Sequence, residues 1–300
     1  MEAHLKEDIL MESSRCGNKI LVTDELPDGQ MLDQWEPVSP DSLNTLLEVY
    51  HELQAEGYLV HYERLPVTDE KSPNETDFDA LFSKICQAAD NNTEIVFNCQ
   101  MGSGLTTTGM VIATLVYYKR IGASDRRFPR NNSSGRIFND GEKSTINLPP
   151  SVYDLRCGEY AVVRSLVRVL QGGVEGKRLV DQVIDKCGSV QNLRVTIAVY
   201  HDRISRRLIG HHLDEKKIDA SLTSFVEYLE RYYFLICFTV YLHSEGDFLQ
   251  SGSLSHVSVS FTDWMRARPE LYSILLRYPS AVAEPENLFT RVIIFFKKKT

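Results

Sequence analysis

Six residues, Cys99-Gln100-Met101-Gly102-Ser103-Gly104, join an apolar stretch directly to a helix-patterned one and leave the local backbone few choices. Residues 94–99 read as a short strand of the kind buried on both faces of a parallel sheet. The spacing predicts a helix over 105–119. A loop that leaves such a strand and enters a helix turns successive backbone N–H groups inward, towards the positive end of the helix, and so forms an anion cradle. Gly102 and Gly104 permit the positive φ values and close approaches that this cradle requires. A cysteine at its mouth has its thiolate stabilised by those dipoles, which makes it a nucleophile. A nucleotide-binding Walker loop needs a lysine after its last glycine, and none follows here. A dinucleotide fingerprint needs a third glycine at 107, where Thr107 stands. On these residues alone, a cysteine buried beside a glycine turn is the better description.

The preceding residues set this loop in a larger frame. Ser39 and Asp41 are cap candidates for a helix over 42–55, with Leu43, Leu46, Leu47, Tyr50 and Leu53 at helical spacing. Residues 58–66 alternate apolar and polar positions and suit a strand. Thr76 and Asp79 form a capping-box variant that opens a helix over 77–89. Strand, helix and strand at this spacing are a βαβ unit, whose parallel strands and right-handed crossover send the loops around Asp69 and Cys99 out of the same sheet edge. Two segments about thirty residues apart then converge on one site.

Residues 122–156 are rich in Ser, Asn, Gly, Arg and Pro without periodicity and read as a long mobile loop. Beyond them, helical patterns cover 159–170, 175–186, 190–207 and 222–243, with a further short helix over 263–276. The longest apolar run, 232–242, is about half of the ~20 residues needed to cross a bilayer, so it reads as a buried helix. The short apolar stretch 292–296 and its following lysines are too brief for an anchor. Net charge is -8 with 43% hydrophobic residues, which suits a globular chain and argues against a general nucleic-acid or anionic-membrane binder. Six cysteines without a CxxC pair, and no basic-then-apolar leader pattern, point to reduced thiols in the cytosol. No metal site or cofactor motif is present in the pattern.

The runs FNCQMGSGLTTTGMVIATLVYY, LPDGQMLDQWEPV, LLEVYHELQAEGYLVHYERLPVTDEKSPNETDFDAL and GGVEGKRLVDQVIDKC resemble, in order and spacing, the plant-type paladin family. Paladins are similar to the protein-tyrosine-phosphatase-like inositol polyphosphate phosphatases, or phytases, of the cysteine-dependent phosphatase superfamily. The resemblance covers about residues 1–275. It implies an α/β, three-layer fold: a central, mostly parallel sheet flanked by helices, with a helical C-terminal half. The domain limits expected from it are a helical segment at 1–16, a cysteine-phosphatase-like domain at 17–245, and a tail at 246–300.

The same resemblance assigns roles. Cys99 takes the nucleophile position, Thr106 the hydroxyl that assists the departing thiolate, and Asp69 the general acid. Gln100, Met101, Gly102, Ser103, Gly104 and the residue at 105 line the phosphate. The family carries arginine at that last position, and this chain carries Leu105. A guanidinium there grips two phosphate oxygens and tightens on the transition state, and leucine does neither. Lys71, in the convergent loop, is the replacement cation the sequence offers, although lysine is a single-point donor. Ser103 stands where a basic residue would add positive field. The reaction implied is phosphomonoester hydrolysis through a phosphocysteine, on a phosphorylated small molecule, a phosphoinositide or a phosphoprotein, in the cytosol and without cofactor or metal. Leu105 makes that activity weak or absent. The competing expectations are a non-catalytic binding or scaffolding module, or an incomplete product of a larger, repeat-containing paladin.

Overall fold

The computed structural model describes residues 2–67, 71–88, 93–99, 102–122, 155–209, 215–245 and 259–282. Expectations that fall elsewhere, including Asp69, Gln100, Met101, nearly all of the 122–156 loop and the lysine-ended C-terminus, lie outside the described residues. Contacts divide the chain into two compact units, Met1–Arg64 and Leu65–Thr300.

The first unit holds α1 (Glu2–Arg15), an antiparallel hairpin of β1 (Lys19–Glu25) and β2 (Met31–Pro37), and α2 (Leu46–Ala55). The hairpin was not foreseen, yet its signal is present. Pro27-Asp28-Gly29 supplies a turn-forming run between two stretches of strand length, Gly29 adopts φ +80°, and the Gln30 amide donates to Asp28 Oδ1. Register pairs Leu21 with Trp35 and Thr23 with Asp33, whose side chains bond at 2.6 Å. The helix expected to open near residue 42 instead starts at Leu46. Thr45 and Glu48 form a reciprocal capping box there, while Ser39 and Ser42 bond each other in a turn upstream. Polar ties hold this unit more than a core does: Lys6 pairs with Glu48 at 3.0 Å, and Glu2 accepts from Tyr62 and Arg64 at 2.8 and 2.6 Å.

The second unit is helical: α3 (Glu75–Gln87), α4 (Gly104–Arg120), α5 (Ala161–Val169), α6 (Gly173–Cys187), α7 (Leu193–Ile209), α8 (Glu215–Glu245), α9 (Phe261–Arg266) and α10 (Pro269–Val282). Helix α3 begins two residues before its expected start because Asn74 and Asp77, rather than Thr76 and Asp79, make the capping box. Asp79 is thereby left for a longer reach. Its carboxylate accepts from the Phe261 amide at 2.7 Å and from the Thr262 amide and hydroxyl, capping α9 from the side of α3. The single helix expected over 263–276 is two, because Pro269 disfavours a helical residue before it and starts α10 afresh.

Residues 232–242 are the buried helix that their apolar run indicated. They lie within α8, and Tyr232, Tyr233, Leu235, Ile236, Cys237, Phe238 and Leu242 are all fully buried. No helix among the described residues is long and apolar enough to cross a membrane. Phe261, Trp264, Met265 and Leu271 belong to the same core. A network of charges fastens α6 to its neighbours: Asp181 accepts from Tyr232 at 2.6 Å and from Lys177 at 2.9 Å, and Asp185 accepts from Arg194 at 2.5 Å.

The expected parallel sheet is absent among the described residues, where the one sheet is the β1–β2 hairpin. Residues 58–66 and 93–99 form no ladder there. A strand exists only through a partner that its own sequence does not specify. In 93–99, Val96 is 87% exposed and Ile95 is also exposed, while Phe97 lies directly on Gly109 of α4.

His201, on α7, lies against Tyr160 and Phe225 with ring centroids 6.3 and 5.7 Å away, and burial lowers its pKa below 6.5 against the opposing pull of Asp202. The folded state thus prefers the neutral ring, whereas the unfolded chain binds a proton near its ordinary pKa. The stability that neutral His201 contributes is complete above about pH 6.5 and is lost as pH falls from there through the lower folded value. Chemical denaturation between about pH 7.5 and 5 is expected to show a decline that His201→Gln reduces. An identical pH dependence in the two proteins would remove His201 as its cause.

Candidate functional site

The cysteine loop reaches α4 as the residue pattern requires. Gly102 takes φ +64°, a conformation that costs a residue with a side chain, and its amide donates to the Cys99 carbonyl at 3.3 Å. Ser103 directly precedes α4, and its side chain makes no capping bond. Its carbonyl instead accepts from the Thr107 amide at 2.8 Å and the Thr107 hydroxyl at 2.9 Å. Thr108 donates in the same way to the Gly104 carbonyl at 2.8 Å. These back-bonds saturate the carbonyls of the first turn, while its amides have no intrahelical acceptor by the geometry of a helix start.

The side chains expected at the site are placed unevenly. Cys99 and Leu105 are half-buried. Thr106 Oγ1 is buried and has no hydrogen-bond partner among the described residues. Asp69, Gln100 and Met101 lie outside them. Lys71, expected as the replacement cation, donates to Glu227 Oε1 of α8 at 2.6 Å, and the Ser72 amide donates to Glu227 Oε2 at 2.8 Å. Its charge is matched before any ligand arrives. An open cavity of about 320 Å³ adjoins it, lined by Lys71, Ser72, Asn74, Asp77, Glu227 and Glu230. Three carboxylates against one ammonium make that cavity unsuited to phosphate.

The residue that sequence reasoning missed is Arg231. It stands immediately before the apolar run 232–242, whose spacing says only "core", and it is 1% exposed. Its Nε and Nη2 donate to the Lys71 carbonyl at 3.2 and 2.8 Å, its guanidinium lies over the Tyr228 ring at 4.7 Å, and a Cβ on Gly104 would fall 2.9 Å from its Nη1. Through Arg231, the segment that follows Asp69 and the last glycine of the cysteine loop meet at one side chain. A signal was available: Arg231 follows Glu227 by one helical turn, and a charged i, i+4 pair at the head of a buried run is a reason to look for a polar partner inside.

Residues 1–117 match the PTP-like phytase family model, described as inositol hexakisphosphate. Paladin from Danio rerio is 33% identical over 208 residues, 68% of this chain, and paladin from Gallus gallus is 31% identical over 209 residues, 67% of this chain. The chain is a paladin-like, cysteine-phosphatase-like protein. Human paladin extends the similarity to 84% of this chain, at 26% identity. The alignments cover 22%, 22% and 28% of those three relatives, so the paladin-like chain spans about a quarter of their length. No solved structure matches it.

Proposed function

We propose that this paladin-like chain is a phosphatase-family module that binds a phosphorylated ligand at the 99–106 loop and turns it over poorly. The observation that carries the reading is Leu105. The backbone of the described loop has the turn, the glycines and the helix start of an anion cradle, while the side chain that would clamp the transition state is missing. In the residual reaction, the Cys99 thiolate attacks phosphorus and the ester oxygen leaves with a proton from Asp69. Water then attacks the phosphocysteine, returning a proton to Asp69, and the Thr106 hydroxyl hydrogen-bonds the departing thiolate. These roles come from the family, as does the central sheet into which residues 58–66 and 94–99 would pair. The ligand class is a phosphomonoester borne by an inositol phosphate, a phosphoinositide or a phosphoprotein, and the compartment is the cytosol.

A non-catalytic binding role is favoured by one further observation, the Lys71–Glu227 pair, which takes the obvious substitute cation out of play. The test is alkylation of Cys99 with iodoacetamide, read by mass spectrometry, with and without vanadate. Protection by vanadate at sub-millimolar concentration is expected. A Cys99 that reacts like exposed Cys16, with and without the anion, would sink the reading.

A further inference from the structure

We infer that Thr107 and Thr108 are positioning residues of the anion cradle: their hydroxyls fix the peptide planes whose amides, at Gly104 and Leu105, face the bound oxyanion. The inference rests on the reading of the 99–106 loop as a phosphomonoester site. Three observations carry it. Thr107 and Thr108 are each 4% exposed and line a small gap with Val111, Leu193 and Leu235, apolar surroundings that suit valine better than a hydroxyl. Both hydroxyls donate to the loop's own backbone, Thr107 to the Ser103 carbonyl at 2.9 Å and Thr108 to the Gly104 carbonyl at 2.8 Å. Ser103 stands at the cap position, where a serine side chain ordinarily accepts from a first-turn amide, and makes no such bond.

A trans peptide is planar, with its carbonyl and its N–H on opposite sides, so whatever fixes one fixes the other. The Ser103 carbonyl shares a plane with the Gly104 amide, and the Gly104 carbonyl shares one with the Leu105 amide. Holding both carbonyls along α4 turns both amides out of its first turn, to the side from which the cysteine loop enters. At the first plane the hold is double, because the Thr107 amide also donates to the Ser103 carbonyl, at 2.8 Å. Ser103 has ψ −97°, away from helical and extended values alike, so the regular course of the helix does not set that plane on its own. The remaining threonine of the run has a different task. Thr106 Oγ1 is buried with no hydrogen-bond partner among the described residues, and a buried hydroxyl of that kind is costly until a partner arrives. With leucine at 105, affinity for an oxyanion falls chiefly to backbone donors, whose value depends on their being aimed before the ligand arrives. Thr107 and Thr108 supply that aim from behind the loop.

Thr107→Val and Thr108→Val test this in the full chain, read as protection of Cys99 from iodoacetamide by vanadate. Each is expected to raise the half-protecting vanadate concentration about fivefold, the effect of one net hydrogen bond, while the urea unfolding midpoint stays level or rises. A merely structural role for the hydroxyls would lower stability and protection together. Thr107→Ser keeps the hydroxyl and loses a buried methyl, so it is expected to hold the half-protecting concentration within about twofold and to lower the midpoint instead. Thr114→Val is the control: Thr114 makes the same kind of bond, to the Met110 carbonyl at 2.8 Å in the middle of α4, and its loss is expected to leave protection unchanged. Cys16 is exposed and serves as the internal standard, and reaction of buried Cys86, Cys187 and Cys237 would report loss of the fold. Should a valine variant not fold, alanine against serine at the same position isolates the hydroxyl, since both lack the methyl. Wild-type protection in a folded Thr107→Val or Thr108→Val would overturn the inference for that residue while leaving the proposed anion site standing. An equal loss in Thr114→Val would overturn it for both threonines. Absence of vanadate protection in the wild-type chain would overturn the inference and the site together.

Discussion

The Leu105→Arg protein is expected to hydrolyse a generic aryl phosphate at least about a hundredfold faster than the natural chain, because the change restores a bidentate, charge-assisted clamp on the transferring phosphoryl group. Arginines that stabilise phosphoryl-transfer transition states are worth on the order of 10³ to 10⁵ in rate, and the figure set here lies below that range. Leu105 is half-buried in the first turn of α4, so a longer side chain need not be forced into the core. Initial rates of the two proteins, each corrected by its own Cys99→Ser form, make the comparison. The same correction removes hydrolysis that does not pass through the cysteine. Equal rates would mean that the loop lacks the geometry for attack whatever stands at 105, and that the chain is a binding module only.

What could be read in advance, and what could not, divides along the range of the interactions. The helical half of the second unit was legible because its signals are local. Apolar residues recur every three or four positions through 175–186 and 222–243, and α6 and α8 cover both. The cysteine-loop turn was legible for the same reason, since Gly102 must take positive φ wherever the strand-like stretch comes from. Cap residues were misassigned by a few positions at α2 and α3. Ser, Thr, Asn and Asp are crowded there, and several of them satisfy a cap pattern equally well. The sheet was a non-local expectation, and in the described residues 93–99 meets α4 through Phe97 and Gly109 instead of a neighbouring strand. Arg231 was illegible for the most physical of these reasons: its partners lie 160 and 127 positions away in sequence, at Lys71 and Gly104, and no spacing rule spans that distance.

Phe238→Ala is expected to cost about 3–5 kcal/mol of stability, the range for truncating a fully buried aromatic ring. The ring is 0% exposed and meets Phe78 of α3 at 5.2 Å, Phe261 of α9 at 5.3 Å and Tyr241 of its own helix at 5.8 Å between centroids. It therefore joins three helices at one point, and the three rings around it cannot collapse onto an alanine without moving a backbone. Urea denaturation is the measurement, with Val190→Ala as the surface control expected to change stability by no more than about 0.5 kcal/mol, since Val190 is 72% exposed. A loss below about 1 kcal/mol would show that the cluster is not close-packed and that α8 is held elsewhere. The consequence reaches the site, because α8 also carries Glu227 and Arg231. If Phe238 anchors that helix, its loss should loosen the clamp on Lys71 and Ser72, and vanadate protection of Cys99 should weaken at urea concentrations well below the unfolding midpoint. The aromatic core thus fixes the helix whose Glu227 and Arg231 hold the Lys71–Ser72 segment.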